Sequence, residues 1–174
     1  MYHVLVQNNR IVVAMSGGVD STVAALLLVR QGYDVVGMTA KFLPDSCANE
    51  LGKCCSEESA YLARRACDYL GIPHYTANMV DEFRNEIVKR FADGYSKGIT
   101  PNPCVDCNRF IKFDLFFRFA KSVDADYLAT GHYARIKDSL LLKGLDNNKD
   151  QSYFLAVISR DKLKQVQFPL GDIN

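Results

Sequence analysis

Two short strings hold the residue types and spacings that could do chemistry. The first is Ser16-Gly17-Gly18-Val19-Asp20-Ser21. Paired glycines let backbone amides approach a ligand, the serines add hydroxyl donors, and a helix starting there presents unpaired N–H groups. That combination is an anion cradle of the kind nucleotides use. It lacks the lysine and the longer spacing of a Walker A loop, and it is not G-x-G-x-x-G. Two adjacent glycines alone would read as a tight strand-to-helix turn with Asp or Ser as its N-cap, and Asp20 either organises the loop or holds Mg2+. The second string is Cys104-Val105-Asp106-Cys107, directly after the proline-rich Gly98–Pro103. A helix beginning there lowers a thiol pKa through its dipole, so a thiolate in this pair is a candidate nucleophile or sulfur carrier. A structural zinc site would need four ligands. Cys54 and Cys55 are adjacent and chelate poorly, and Cys47 lies in an irregular stretch. Cys67 falls beside Leu62, Ala63 and Ala66 and reads as a small buried hydrophobe.

The elements that must position these strings follow from periodicity and breakers. Ile11–Met15 reads as a buried strand ended by Gly17-Gly18, and Thr22–Gln31 as a helix capped by Gly32. Asp34–Thr39 is a second strand. Ser56 is an N-cap for a helix through Leu70, with Glu57 and Glu58 in its first turn, and Pro73 forces a stop before a strand at His74–Ala77. Phe83, Ile87, Val88 and Phe91 predict a helix over Asp81–Tyr95. Two prolines in six residues keep Gly98–Pro103 out of helix, and Val105–Lys121 is a Phe-rich helix. Asp126–Thr130 is a strand broken by Gly131, and Tyr133–Ile136 with Leu140–Leu145 forms a hairpin around Lys137–Ser139. Ser159 caps a last helix that stops before Pro169. Alternating strands and helices predict an α/β fold, a parallel sheet with helices on both faces.

The chain has 174 residues, with Lys+Arg 21 against Asp+Glu 20. A net charge of +1 excludes a protein that grips nucleic acid by bulk electrostatics, although a local basic face remains open. Six cysteines in this length fall short of a disulfide scaffold. Met1–Arg10 has no basic start followed by an apolar run, and the apolar stretch around Val23–Val29 is far too short for a membrane helix. These features predict a cytoplasmic protein with reduced thiols.

Seven strings in fixed order give the sequence a family likeness. They are SGGVDS at 16–21, GMTAKF at 37–42, KCCSEES at 53–59, ARRACDYLGIPHY at 63–75, TPNPCVDCNRFIKFD at 100–114, ATGHYARI at 129–136 and KDQSYFLA at 149–156. SGGVDS after a strand resembles the PP-loop of the ATP pyrophosphatase superfamily. The whole set resembles the bacterial and mitochondrial tRNA-specific 2-thiouridylases. That resemblance implies ATP-dependent sulfur transfer to tRNA: adenylation of the wobble uridine at its C2 oxygen, then replacement by sulfur to give 2-thiouridine. It implies ATP and Mg2+ as cofactors, and tRNA and a sulfur-donor protein (a cysteine desulfurase or sulfur relay protein) as partners.

Carried onto this sequence, the resemblance makes Ala14, Met15, Ser16, Gly17, Gly18, Val19, Asp20, Ser21, Met38 and Gly131 ATP contacts. Cys107, before Asn108, matches the first catalytic cysteine and would carry a persulfide. Asn102, Pro103 and Cys104 match the segment beside the target base. His132, Lys149, Asp150 and Gln151 match tRNA-contacting positions. Taken alone, residues 131–133 would read as a turn and 149–151 as a solvated loop.

Two departures bear on mechanism. Many members carry Asp where this chain has Cys104, so a C-x-x-C arises here. Relatives in the superfamily use three cysteines to hold a [4Fe–4S] cluster, of which Cys104 and Cys107 could supply two ligands. The family's second catalytic cysteine lies farther along, in a central domain, so the chain reads as an N-terminal portion. Residues 1–137 are expected to form the ATP-binding domain and 138–174 the start of a tRNA-binding region. The rival readings are another PP-loop ligase or amidotransferase partner, which C-x-x-C-N would not serve, and a non-catalytic ATP- or tRNA-binding fragment.

Overall fold

The structure, a computed structural model, describes residues 9–44 and 57–173. The Ser56 cap, Cys47, Cys54 and Cys55 lie outside the described residues, as does most of Met1–Arg10. Strands β1 (Arg10–Ala14), β2 (Asp34–Lys41), β3 (His74–Asn78), β4 (Tyr127–Thr130) and β7 (Val166–Gln167) form one sheet in the order β3-β2-β1-β4-β7, every pair parallel. A separate antiparallel hairpin joins β5 (Ala134–Lys137) to β6 (Leu140–Lys143). Its turn holds Asp138 and Ser139 at φ of 52° and 59°, the two consecutive left-handed residues a two-residue hairpin needs.

Strand alternation splits the core between the two faces. Ile11 and Val13 pack with Ala25 and Leu28 of helix α1 (Val19–Arg30) and with Ala63 and Cys67 of α2 (Glu57–Leu70). Val12 points to the other face, against a helix over residues 80–96 (α3) and one over residues 103–122 (α4), through Ile87, Ile111, Phe113 and Phe116. Both faces are therefore covered, as a parallel sheet requires. Residues Leu28, Ile111 and Phe113 are at most 1% exposed, and each such side chain contributes about 1.5–3 kcal/mol by leaving water. Cys67 is fully buried, and burial pushes its thiol up to about 11. Gly37 of β2 leaves room for it, since a Cβ there would overlap Cys67 Sγ.

Helix α4 begins at Pro103, not Val105. Proline suits the first helical position because the N–H it lacks would have had no partner in the helix. Asn102 is the cap, its Oδ1 accepting from the amides of Cys104 at 3.1 Å and Val105 at 3.3 Å. Within α4, Cys107–Leu115 is π-helical, as is Arg84–Val88 within α3. The final helix is one turn, Arg160–Leu163, because the chain then turns into β7. That strand, and a helical turn α5 (Ser152–Leu155) before it, have no counterpart in the sequence reading. Through β7 beside β4, residues beyond 138 complete the main sheet.

Candidate functional site

The chain runs leftward from β1 to β3 and then crosses to β4, so strand order reverses between β1 and β4. Ligands of open α/β sheets bind outside the carboxyl ends of the strands at such a point. A cavity of about 220 Å³ lies there. Its lining comes from the end of β1 and the glycine loop (Ala14, Met15, Ser16, Asp20, Ser21), the end of β2 (Thr39, Ala40, Phe42), α4 (Lys112, Phe116) and the segment after β4 (Thr130, Gly131, His132), with Gln151 closing one side.

The loop is shaped by its own hydroxyls. Ser21 is buried and donates to the Gly18 carbonyl at 3.1 Å, while the Ser16 amide donates to Ser21 Oγ at 3.2 Å. Thr22 Oγ1 donates to the same carbonyl at 3.0 Å. The Ser21 hydroxyl is thus committed to the loop, where the sequence suggested a donor to a ligand. The two glycines also differ in role. Gly17 has φ +77°, and a Cβ there would overlap the backbone of Ser59 on α2, so its bareness admits α2. A Cβ on Gly18 would meet only Ser16 Oγ, at 3.4 Å, which leaves that side open to an approaching anion. Gly131 is the third close approach: a Cβ on it would lie 2.7 Å from the Ser21 amide nitrogen and 2.8 Å from the Asp20 carbonyl carbon. The end of β4 therefore presses directly on the loop.

Asp20 does not bond the loop amides. Its Oδ1 accepts from the Tyr133 hydroxyl at 3.3 Å and lies 3.8 Å from Lys149 Nζ, on the cavity side. Lys149 also donates to the Tyr133 hydroxyl at 3.1 Å and stands over the Tyr133 ring, 4.7 Å from its centroid. The Tyr133 hydrogen bond, with Asp20 beside it, raises the Lys149 pKa. Asp150 accepts from the amides of Gly144 and Ser152 and from the Ser152 hydroxyl, at 3.0–3.2 Å. Burial works against its ionisation, but these bonds hold its pKa below the usual value. Asp150 is in this way a turn-builder. The turn presents Gln151, whose amide donates to the Tyr133 carbonyl at 3.0 Å while its Oε1 accepts from the Tyr133 amide at 3.3 Å.

His132 is only 8% exposed, between the rings of Phe113 and Phe168, with Nδ1 2.7 Å from Thr130 Oγ1. Burial, reinforced by Lys112, pushes its pKa down to about 3, so it is neutral at physiological pH. Val19 is exposed, and Met38 is fully buried with its carbonyl accepting the Met15 amide at 2.7 Å; neither side chain lines the cavity. Cys104 is exposed and Cys107 half-buried at the start of the π-helical stretch. Asn108, next to Cys107, fastens α4 to α5 by donating to the Phe154 carbonyl at 3.3 Å. Thr39, Ala40, Phe42, Lys112, Phe116 and Thr130 are the lining residues that sequence reasoning missed; the spacing of Lys112 and Phe116 on a predicted helix was the available signal.

One carboxylate beside an open glycine loop suits Mg2+, which binds through one or two carboxylates plus substrate phosphates. Asp20 is the residue that would hold it. An iron–sulfur cluster fits less well. Among the described residues no group of three or more His, Cys, Asp or Glu side chains comes together, so no third ligand joins Cys104 and Cys107. Also among the described residues, no helix is long and apolar enough to cross a membrane.

Residues 9–174 match the family described as "tRNA methyl transferase HUP domain". Three curated relatives are named tRNA-specific 2-thiouridylase. That of Caldanaerobacter subterraneus is 48% identical over 95% of this chain and 48% of its own length. That of Bacillus subtilis is 47% identical over 96% and 46%, and that of Thermus thermophilus 46% over 94% and 47%. The chain thus spans about half the length of these relatives. A crystal structure of a "predicted subunit of tRNA methyltransferase" from Methanocaldococcus jannaschii aligns at a TM-score of 0.54 with 18% identity, over 95% of this chain and 71% of that one, a likeness of fold.

Proposed function

The chain belongs to the tRNA methyl transferase HUP domain family, and from that premise we propose that it is the ATP-binding and sulfur-bearing part of a tRNA 2-thiouridylase. The observation that carries the reading is the contact of Gly131 with the Asp20–Ser21 backbone at the strand-order reversal, with the cysteine-bearing helix forming the facing wall. Loop and β4 together form the side of the cavity suited to phosphates, and α4, which carries Cys104 and Cys107, lines the same cavity through Lys112 and Phe116.

In this reading the glycine loop holds the phosphates, and Asp20 holds Mg2+, which offsets their charge when bound. The remaining named loop and strand positions, Ala14 to Ser21 with Met38 and Gly131, enclose the nucleotide. The wobble uridine enters past Asn102, Pro103 and Cys104, and its C2 oxygen displaces pyrophosphate from ATP. The resulting adenylate turns a poor oxygen leaving group into AMP. A persulfide on Cys107, loaded by a sulfur-donor protein, then attacks C2 and expels AMP. A second thiol, such as the family's second cysteine farther along, would then attack Cys107 Sγ, breaking the S–S bond to leave the sulfur on C2 and a disulfide on the protein. Residues 149–151 face the tRNA, with 138–174 beginning its wider binding region, while buried His132 stays on the cavity wall behind them. No step runs through a cluster.

Titration calorimetry of this chain with ATP·Mg2+, against GTP as control, tests the reading. Saturable ATP binding is expected. Absence of binding, or equal affinity for GTP, overturns it.

A further inference from the structure

We propose that Lys112 is the cation that receives the α-phosphate of ATP, making it a phosphate-binding residue that ties the nucleotide to the helix of Cys107. This rests on reading the cavity as an ATP site.

The cavity lining carries two charged side chains, Asp20 and Lys112. Asp20 already faces Lys149 and the Tyr133 hydroxyl, and buried His132 supplies no charge at neutral pH. A polyphosphate entering this space therefore meets one lining cation. Lys149, the cation facing lining residue Asp20, is engaged by that carboxylate and by the Tyr133 hydroxyl, and elsewhere Arg118 and Lys162 both bind Asp114, at 2.7 and 3.0 Å. Among the described residues Lys112 has no hydrogen bond or ion pair, though it is half-buried. A half-buried ammonium aimed at a cavity and left without a carboxylate is a group waiting for an anion.

Placement selects the phosphate. The loop enters the cavity with α1 from one face of the sheet, and α4 comes from the other. Loop amides can hold the pyrophosphate end, whereas Lys112 stands on the wall that carries Cys107, five residues before it. The reacting phosphorus and the sulfur must reach the same base in turn, so the phosphoryl group nearest α4 is the one that is transferred. In that step the acceptor oxygen forms a bond to the α-phosphorus. The bond from the α-phosphorus to the bridging oxygen breaks, and pyrophosphate leaves with the electron pair. Lys112 neutralises charge on the non-bridging oxygens as this happens.

The test is calorimetry of ATP, AMP and inorganic pyrophosphate against the unaltered chain, Lys112→Met and Lys112→Arg, with circular dichroism to confirm folding. Lys112→Met should weaken ATP and AMP by roughly tenfold or more, leave pyrophosphate unchanged, and be largely rescued by Lys112→Arg. Should Lys112→Met lose its helical signal, Lys112→Gln carries the same comparison. Unchanged ATP and AMP affinity overturns the proposal, as does a loss confined to pyrophosphate. Failure of the unaltered chain to bind ATP is a separate result, which removes the ATP reading and this inference with it.

Discussion

Lys149 and Asp20, 129 positions apart in sequence, face each other at 3.8 Å with the Tyr133 hydroxyl bonded to both. Both side chains are about half exposed, so water screens the pair, and its contribution to stability is small. Its meaning is positional. The carboxylate expected either to organise the glycine loop or to bind metal is held outside the loop by a partner that a cation could displace.

Asp20→Asn should therefore leave the melting temperature nearly unchanged and remove the Mg2+-dependent part of ATP affinity. Calorimetry with Mg2+ and then with EDTA reads this directly. An Asn variant that retained the full Mg2+ effect would place the metal elsewhere.

The glycines should separate by consequence. Gly131→Ala puts a methyl group 2.7 Å from the Ser21 amide nitrogen, and the strain should cost about 1–3 kcal/mol together with ATP affinity. Gly17→Ala, strained by φ +77° and by the Ser59 backbone, should lower stability by unseating α2. Urea unfolding of the two variants checks both. A Gly17→Ala protein of unaltered stability would contradict the close approach of α2.

His132 predicts an acid-sensitive fold. Its pKa falls from 6.5 to about 3 in the folded chain, because burial and then Lys112 disfavour the charged ring. Between those values the unfolded chain binds the extra proton, so stability is complete above pH 6.5 and lost as pH falls toward 3. At pH 5 the loss from this group is about 2 kcal/mol. His74, lowered by burial and by Arg64, adds in the same direction. Urea unfolding at pH 8 and pH 5 should show a smaller difference in His132→Gln than in the unaltered chain. Equal slopes would exclude His132 as a source.

Sulfur loading should be specific to Cys107. Given a persulfide donor, the Cys107 thiolate takes the sulfane sulfur and releases the donor's thiolate, and mass spectrometry should find one added sulfur atom on this chain. Cys107→Ser should abolish the addition, while Cys104→Ser retains it. Loading that follows Cys104 instead would reverse the assignment.

The glycine loop, the strands around it and both long helices of the second half were legible because each rests on local signals: breakers, caps and periodicity. The start of α4 was missed by two residues, since Pro103 was read as a helix breaker and not as a first helical residue. Strand β7 has two residues and no pattern of its own; it exists because Val166 and Gln167 lie beside Leu128 and Ala129. Phe42, Thr39, Phe116 and Lys112 belong to the site because β2 and α4 converge; helical spacing puts Lys112 and Phe116 on one face but says nothing of what that face meets. At Gly17 the sequence pointed to close approach but could not show that the Ser59 backbone of α2 is one of its neighbours.

The π-helical stretch from Cys107 to Leu115 sets an angle as well as a path. In an α-helix, side chains five residues apart point roughly 140° away from each other. In a π-turn, whose hydrogen bonds close on the fifth residue, they point nearly the same way. Cys107 and Lys112 are five apart, so the wider coil turns a pair that would diverge into one that shares a side of the helix. Rewinding the same residues as an ordinary α-helix, with none removed, would rotate the thiol away from the ammonium, with every side chain of the site still present.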